Sequence, residues 1–346
     1  MRARARRLAT AAGLALALAL APAGCNLDND LDDEVGVPVQ LPVAVLACSS
    51  AGVEMFGYSI AEEGAVGDLA GTFNDASSIA CFGMAQRADG RVLVASGHPG
   101  ASEDPDVVEL DATGAFLRNF VAAGPLNWAI DLAVAPDNGV VVADFGGLAL
   151  DDDPTGTVFA GGGVYRFSPD GAAVAEAAPG FQFGVVWAVL VTGSGELLVL
   201  DFAAEGRILR FGLDPAGDGS WLPSGEFADG PSVGVPISIA QDLDGTFLVG
   251  TFDGTIARFE PDGTRTADFT GEALAQVHGL VILPGGNVVI STSGGDQFDP
   301  PRPEGLFELS PDGTLQRVLP LPADAAITRI ALATDVVLHG RSPDTL

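Results

Sequence analysis

Four side chains able to do chemistry stand at equivalent places in separate parts of this chain: Asp131, Trp187, His278 and Arg329. Counting back from each repeat's tight turn aligns Asp131 and Arg329 at one position, and Trp187 and His278 one residue earlier. A carboxylate and an imidazole can move a proton or hold a divalent cation. A guanidinium holds an anion, and an indole stacks on a flat ligand. Asp131 and His278 are therefore the catalytic candidates. The set is sparse, because the same count lands elsewhere on Gly83, Ala188, Ser238 and Gly279, and one residue earlier on Phe82, Ile130, Ile237 and Thr328. An ion pair between Asp131 and Arg329 is the structural alternative, and packing is the alternative for Trp187.

Acidic side chains form a second group. Asp104 and Asp106, then Asp151, Asp152 and Asp153, then Asp296 and Asp299 fall in three long insertions, 97–106, 145–163 and 293–304. Long loops gathered on one rim are where repeat proteins meet partners. Calcium is the one cofactor such residues would take, with Asp131, Asp151 and Asp153 as candidate ligands, although the spacing is not that of an EF-hand loop. Asp144 and Asp201 end apolar strands, where they either face a ligand or cap the amides of a following loop. His98, His278 and His339 lie outside any nucleophile-elbow pattern. Metal-binding cysteine pairs, a zinc-protease helix, a dinucleotide fingerprint and a phosphate loop are all missing from the sequence.

The elements that must position these residues repeat. Ala88-Asp89-Gly90 followed by Arg91-Val92-Leu93-Val94-Ala95 recurs as Asp137-Asn138-Gly139 before Val140-Val141-Val142-Ala143-Asp144. It recurs again at Gly193–Asp201, Leu243–Thr251 and Pro284–Thr292. Downstream, Tyr165-Arg166-Phe167-Ser168-Pro169-Asp170-Gly171 matches Ala257–Gly263 and Phe307–Gly313, with looser copies at Val108–Gly114 and Leu209–Pro215. Asp-Gly supplies the positive φ of a hairpin turn, and Val/Ile/Leu runs suit buried strands. Each repeat thus contains four antiparallel strands, which cannot bury both faces alone and pack radially. Five repeats cover about residues 78–321. The tail Ile327–His339 is expected to supply two inner strands of a sixth, with outer strands at Val43–Cys48, Val53–Ile60 and Leu69–Phe73. The fold class is all-β, a β-propeller of about six four-stranded blades whose closing blade is shared between both termini; five or seven blades stay open.

This pattern resembles the NHL-repeat propellers and the gluconolactonase (senescence-marker protein) superfamily over nearly the whole chain after its first 42 residues. The resemblance implies a divalent cation at the channel mouth, held by Glu, Asn and Asp, with a carboxylate handling the proton of an attacking water. Asp131 stands where that family has a metal-binding Asp. His278-Gly279-Leu280 stands where it has Asn-Gly-Leu. The family's Glu-Gly-Pro opening is absent, and Gly83, Ala188 and Ser238 offer no replacement ligands, so the implied metal site is in doubt.

The N-terminus carries Arg2, Arg4, Arg6 and Arg7 ahead of an apolar run, Leu8–Ala21, too short to span a bilayer comfortably. It ends in Pro22-Ala23-Gly24-Cys25, which resembles a bacterial lipobox with Pro22 in place of an aliphatic residue. The reading is a signal peptide over 1–24, lipidation at Cys25, an acidic tether over 25–42 and a propeller over 43–346; plain cleavage after Ala23 is the alternative. Asn26 directs the expectation to an outer-membrane lipoprotein, otherwise to a periplasmic or extracellular protein. Cys48 and Cys81 flank the start of the first repeat and are a possible disulfide, two free thiols being the alternative. The net charge of −30, from 16 basic residues (all Arg) against 46 acidic ones, excludes nonspecific nucleic-acid binding. The expected protein is a monomer, touching membrane only through its lipid, that binds a protein, peptide or glycan through its acidic rim, not its channel, without catalysis; a metal-dependent lactonase- or esterase-like hydrolase, or a lyase, with its site at the channel mouth is the alternative. Cys25→Ala is expected to move the chain from the membrane to the soluble fraction on immunoblots of fractionated cells, whereas retention in the membrane fraction after normal processing refutes lipidation.

Overall fold

The computed structural model describes residues 36–340, apart from 49–54, 61–64, 75–79, 97–105, 122–125, 150–157, 161, 203–205, 216–218, 270–273, 296–299, 322–326 and 328. Cys25, Asp104, Asp151, Asp152, Asp153, Asp296 and Asp299 lie outside these residues, as do His98 and Thr328.

The strands follow the repeats. β1 (Gly36–Cys48), β2 (Met55–Ile60) and β3 (Val66–Asn74) come first. Blade 1 is β4 (Gly83–Gln86), β5 (Val92–Ala95), β6 (Val107–Leu110) and β7 (Phe116–Val121). Blade 2 contains β8 (Ala129–Val134) and β9 (Val140–Asp144), then an inserted hairpin, β10 (Gly147–Ala149) and β11 (Val158–Ala160), then β12 (Gly163–Phe167) and β13 (Ala173–Glu176). Blade 3 is β14 (Val186–Val191), β15 (Leu197–Asp201), β16 (Arg207–Leu213) and β17 (Trp221–Ala228). A single helical turn, α1 (Gly230–Val233), capped by the Asp229 carboxylate on the Ser232 amide, leads into blade 4. That blade is β18 (Pro236–Gln241), β19 (Phe247–Thr251), β20 (Ile256–Phe259) and β21 (Arg265–Asp268). Blade 5 is β22 (Gln276–Ile282), β23 (Val288–Ser293), β24 (Gly305–Leu309) and β25 (Leu315–Leu319). The last strand is β26 (Arg329–Gly340).

Six four-stranded antiparallel blades result, as the repeats predict. Second strands such as β9, β15 and β19 are buried at every position, because a neighbouring blade covers each face. Their continuous Val/Leu runs reflect this. Outermost strands such as β7 and β25 are mostly exposed.

Closure differs from expectation. The tail contributes one strand, not two: β26 runs unbroken along β1, bending at Asp335, whose φ is 53°. The N-terminus supplies the other three strands. β1 also starts at Gly36, inside the segment expected to be a tether. Val39, Gln40 and Leu41 pair with Leu338, Val337 and Val336, while Pro38 and Pro42 sit at gaps in that ladder, where a missing N–H is tolerated. The Gln86 side chain then joins blade 1 to β26 in the manner of a peptide group, donating to the Thr334 carbonyl (2.7 Å) and accepting from its amide (2.6 Å). Cys48 and Cys81 form a disulfide between β1 and the approach to blade 1. Their sequence separation of 33 makes that link worth about 3 to 4 kcal/mol by loop-closure entropy.

Neighbouring blades are clasped by the repeated turns. Gly171, Gly263 and Gly313, with φ of 90°, 90° and 85°, lie against the backbone carbonyls of Phe120, Phe227 and Phe269 in the preceding blades, where a Cβ would overlap the oxygen. Arginines reinforce the contact. Arg118 and Arg258 stack over Phe120 and Phe269 at 5.1 and 5.2 Å. They donate to the Asp170 and Pro311 carbonyls of the next blade at 2.6 and 3.3 Å. Arg210 repeats this with Phe227 and Pro261. Gly263→Ala is expected to cost on the order of 3 kcal/mol or more in urea unfolding, because it adds overlap to φ strain. Gly180→Ala, at a φ of 73° with open space around it, should cost about 1 kcal/mol. Equal losses would show that the inter-blade contact is unimportant.

Candidate functional site

The innermost strands enter the channel through a repeated irregularity. In β8, β14, β18 and β22 one residue is extra relative to the paired strand: Ile130, Trp187, Ile237 and His278. Blade 1 does the same with Phe82, whose amide donates to the Ala95 carbonyl that Gly83 already faces. A β-bulge turns its extra side chain away from the normal alternation. Two layers follow. Asp131, Ala188, Ser238, Gly279 and Arg329 line the central channel, a cavity of about 450 Å³. Phe82, Ile130, Trp187 and His278 belong to a second, smaller cavity of about 180 Å³, completed by Trp128, Phe145 and Arg329.

The smaller cavity is walled by aromatic rings in edge contact. Phe82 meets Trp128 at 5.5 Å, Trp128 meets Phe145 at 4.9 Å, and Phe145 meets Trp187 at 5.5 Å. From Trp187 the chain continues to Phe202 at 5.9 Å and on to Phe252 at 6.3 Å, with His278 at 6.2 Å. Trp187 is thus part of an arc, not only filler. Phe145, Phe202 and Phe252 were not among the sequence candidates. Their signal was available, since each directly follows the last residue of a second strand, in Asp144-Phe145, Asp201-Phe202 and Thr251-Phe252.

Asp131 and Arg329 come close enough to feel each other's charge, but no ion pair joins them within 4 Å among the described residues. The expected Asp131–Arg329 bridge is corrected in this respect. Arg329 donates instead to the backbone carbonyls of Phe82 and His278, stitching blades 1, 5 and 6. Asp131 accepts from the Val189 amide at 3.0 Å, a blade 2 to blade 3 link, and packs against Gly83 so closely that a Cβ there would strike its backbone. Burial pushes the Asp131 carboxyl up to about 6, with Arg329 and the backbone hydrogen bonds opposing. Burial, then Arg329, pulls His278 down to about 3, so its imidazole is neutral and paired with Gln276 Oε1 at 3.0 Å.

The other acids divide clearly. Asp144 accepts from the Asn127, Trp128 and Gly146 amides at 3.1, 2.9 and 3.1 Å. Asp201 accepts from Gly184 and Val185 and pairs with Arg207 at 2.8 Å. Both cap loops. Asp106 is buried and accepts from the Leu126 amide at 3.1 Å, so it is a third cap and no rim acid. Among the described residues no three His, Cys, Asp or Glu side chains converge on one point. Among the described residues Asp131 is the sole carboxylate lining the channel layer, and it is already hydrogen-bonded. The residues present therefore do not fit the cation that the lactonase resemblance implies.

No protein-family model matches the sequence, and no curated protein matches it. Solved structures are similar in fold. A gluconolactonase of Xanthomonas campestris superposes with a TM-score of 0.55 at 20% identity, over 72% of this chain and 79% of its own. A chain of a nidogen/laminin complex reaches 0.60 at 11% identity, over 85% and 99%. A Bacteroides caccae protein of unknown function reaches 0.57 at 16%, over 84% and 99%. The resemblance to gluconolactonase-type and related six-bladed propellers holds at the level of fold.

Asp131 and His278 carry opposite pH dependences. A carboxyl whose pKa is raised on folding gives stability that is complete below its unfolded value and lost as pH rises through about 6. A histidine depressed to about 3 gives stability present above its unfolded value near 6.5 and lost on acidification. Measured by urea unfolding against wild type, Asp131→Asn should gain stability as pH goes from 4 to 7. His278→Gln should gain it in the reverse direction. Parallel curves for wild type and both variants would contradict the burial of these groups.

Proposed function

We propose that this chain is an exported, non-catalytic binding propeller, anchored or secreted, that receives a protein, peptide or glycan at the aromatic mouth of its channel. The observation that carries this reading is the bulge-aimed arc of rings around a cavity whose nearby carboxylate is tied to a backbone amide. Rings of this kind bind through area and shape. Hydrolysis needs an activated water and a stabiliser for the developing charge, and a single imidazole held neutral beside one committed carboxylate supplies little of either.

One observation favours the second reading, a lactonase-like hydrolase. Asp131 has its pKa raised toward the range of a general base. The fold likeness to gluconolactonases is compatible with it, as the nidogen/laminin likeness is with binding.

The two separate in one experiment. Purified wild type is assayed with δ-gluconolactone and p-nitrophenyl acetate, with and without millimolar calcium, and in parallel on peptide and glycan arrays. The expected outcome is turnover no faster than buffer, together with array binding that Trp187→Ala reduces at least tenfold. Calcium-dependent turnover that Asp131→Asn abolishes would overturn the binding reading.

A further inference from the structure

The small aromatic cavity is an apolar socket with fixed walls. Ile130 and Phe145 are buried in it, while Phe82, Trp128, Trp187 and His278 are half-buried, so it opens on their side. The backbone pins the walls. The Phe82 amide donates to the Ala95 carbonyl at 2.9 Å, the Phe82 carbonyl accepts from Arg329, and the preceding Cys81 is in the disulfide. The Trp128 amide donates to Asp144, and the Trp128 carbonyl accepts from the Phe145 amide, both at 2.9 Å. Nearby polar groups are engaged elsewhere. Arg329 donates to the Phe82 and His278 carbonyls and lies in the field of Asp131. Asp131 lines the larger channel and accepts from the Val189 amide. The His278 imidazole is neutral and pairs with Gln276. A carboxylate or a sugar would therefore lose its water against rings and hydrocarbon without repayment. A cationic head would meet Arg329 at the wall. One uncharged ring fits: an apolar cavity of about 150 Å³ holds benzene, and this one measures about 180 Å³.

Resting on the binding reading above, we infer that the cavity is the anchor pocket for a single aromatic side chain, Phe above all, carried by a basic protein segment. A free metabolite is oriented by a few well-placed polar groups inside its site, and this wall is almost wholly apolar. A side chain needs none there, because the backbone that carries it makes its hydrogen bonds outside the pocket. Aromatic anchors seated in rigid pockets carry much of the energy of protein recognition, since little freedom is lost when the socket is already formed. The charge of the partner follows from the chain as a whole. With 46 acidic residues against 16 basic ones, a net charge of −30 draws a cationic segment toward the mouth and repels an acidic one. The ring thus sets affinity, and the charge sets the rate of encounter and the choice of partner.

The test uses the full mature chain with its disulfide intact. Isothermal titration compares the acetylated, amidated peptide Lys-Lys-Gly-Phe-Gly-Lys-Lys with the same peptide carrying Ala for Phe, and with one carrying Glu for every Lys. Burying one ring is worth on the order of ten- to a hundredfold in affinity, so the Phe peptide is expected to bind at least tenfold more tightly than the Ala peptide. At about 1 M salt, where charges are screened over about 3 Å, that gap should remain while the gap between the Lys and Glu peptides closes. Ile130→Phe, which fills the socket, should weaken the Phe peptide at least fivefold and leave the Ala peptide unchanged. If that variant does not fold, Trp128→Ala, which removes a wall, should do the same. Equal affinity of the Phe and Ala peptides overturns the anchor while leaving the binding reading standing. Toluene bound as tightly as the Phe peptide makes the occupant a free small molecule and overturns the side chain. A glycan whose array binding Ile130→Phe abolishes overturns the protein partner. A Glu peptide bound as tightly as the Lys peptide at low salt overturns its basic character. Lactone turnover by wild type, with the Phe preference intact, sinks the non-catalytic reading instead and keeps the anchor pocket.

Discussion

Three junctions, blade 1 to 2, 3 to 4 and 4 to 5, are locked by a glycine pressed on a carbonyl and a guanidinium reaching over it. The Pro-Asp-Gly turn of one blade meets the outer aromatic of the blade before, at Gly171 with Phe120, Gly263 with Phe227 and Gly313 with Phe269. An arginine stacked on that same ring then donates to a turn carbonyl. Any side chain at the glycine would wedge the blades apart and widen the ring. Lysine would not substitute well for the arginine, because only a flat fork can lie on a ring and still donate in its plane. The channel and its mouth inherit their dimensions from this spacing.

The same turns account for part of the acidity. Asp262 and Asp312 each accept the amide of the residue two positions on, from Thr264 at 2.9 Å and Thr314 at 3.2 Å. The Thr264 amide holds the Asp262 carboxyl below the usual carboxylate range, and the Ser310 hydroxyl, then the Thr314 amide, does the same for Asp312. Asp111 and Asp244 accept the Thr113 and Thr246 amides in the same turn geometry. Repeating a turn that needs Asp therefore repeats a negative charge. The surplus follows from architecture before any partner is invoked, whereas Arg87 and Arg118, two of the few cations, are drawn inward to the buried Glu109.

The mouth is built by a defect in the ladder. With strict alternation, Trp187 and His278 would point into the faces between blades, and the ring of apolar groups would not form. The bulges turn them out, and Phe145, Phe202 and Phe252 fill the spaces between because the strands preceding them end at the same height. A rigid ring thus presents flat surfaces with few polar atoms, which suits recognition by shape with one or two directional contacts.

From the sequence alone, the repeat period, the turn glycines and the Val/Leu runs determine the strands, a propeller of about six blades and the alignment of Asp131, Trp187, His278 and Arg329 near its channel, because each is a local pattern; the structure fixes the count at six. The possible Cys48–Cys81 pairing was legible from position too. Other features depend on neighbours far along the chain. Whether the tail donates one strand or two turns on how β26 matches β1, and Gly36–Pro42 becomes strand only because that partner exists. Asp106 reads as a surface acid until the Leu126 amide is brought beside it. Arg329 reads as the mate of Asp131 until carbonyls from blades 1 and 5 arrive first. The aromatic arc needed the bulges, which no composition or spacing encodes, since an extra residue in one strand is defined only against the strand it pairs with.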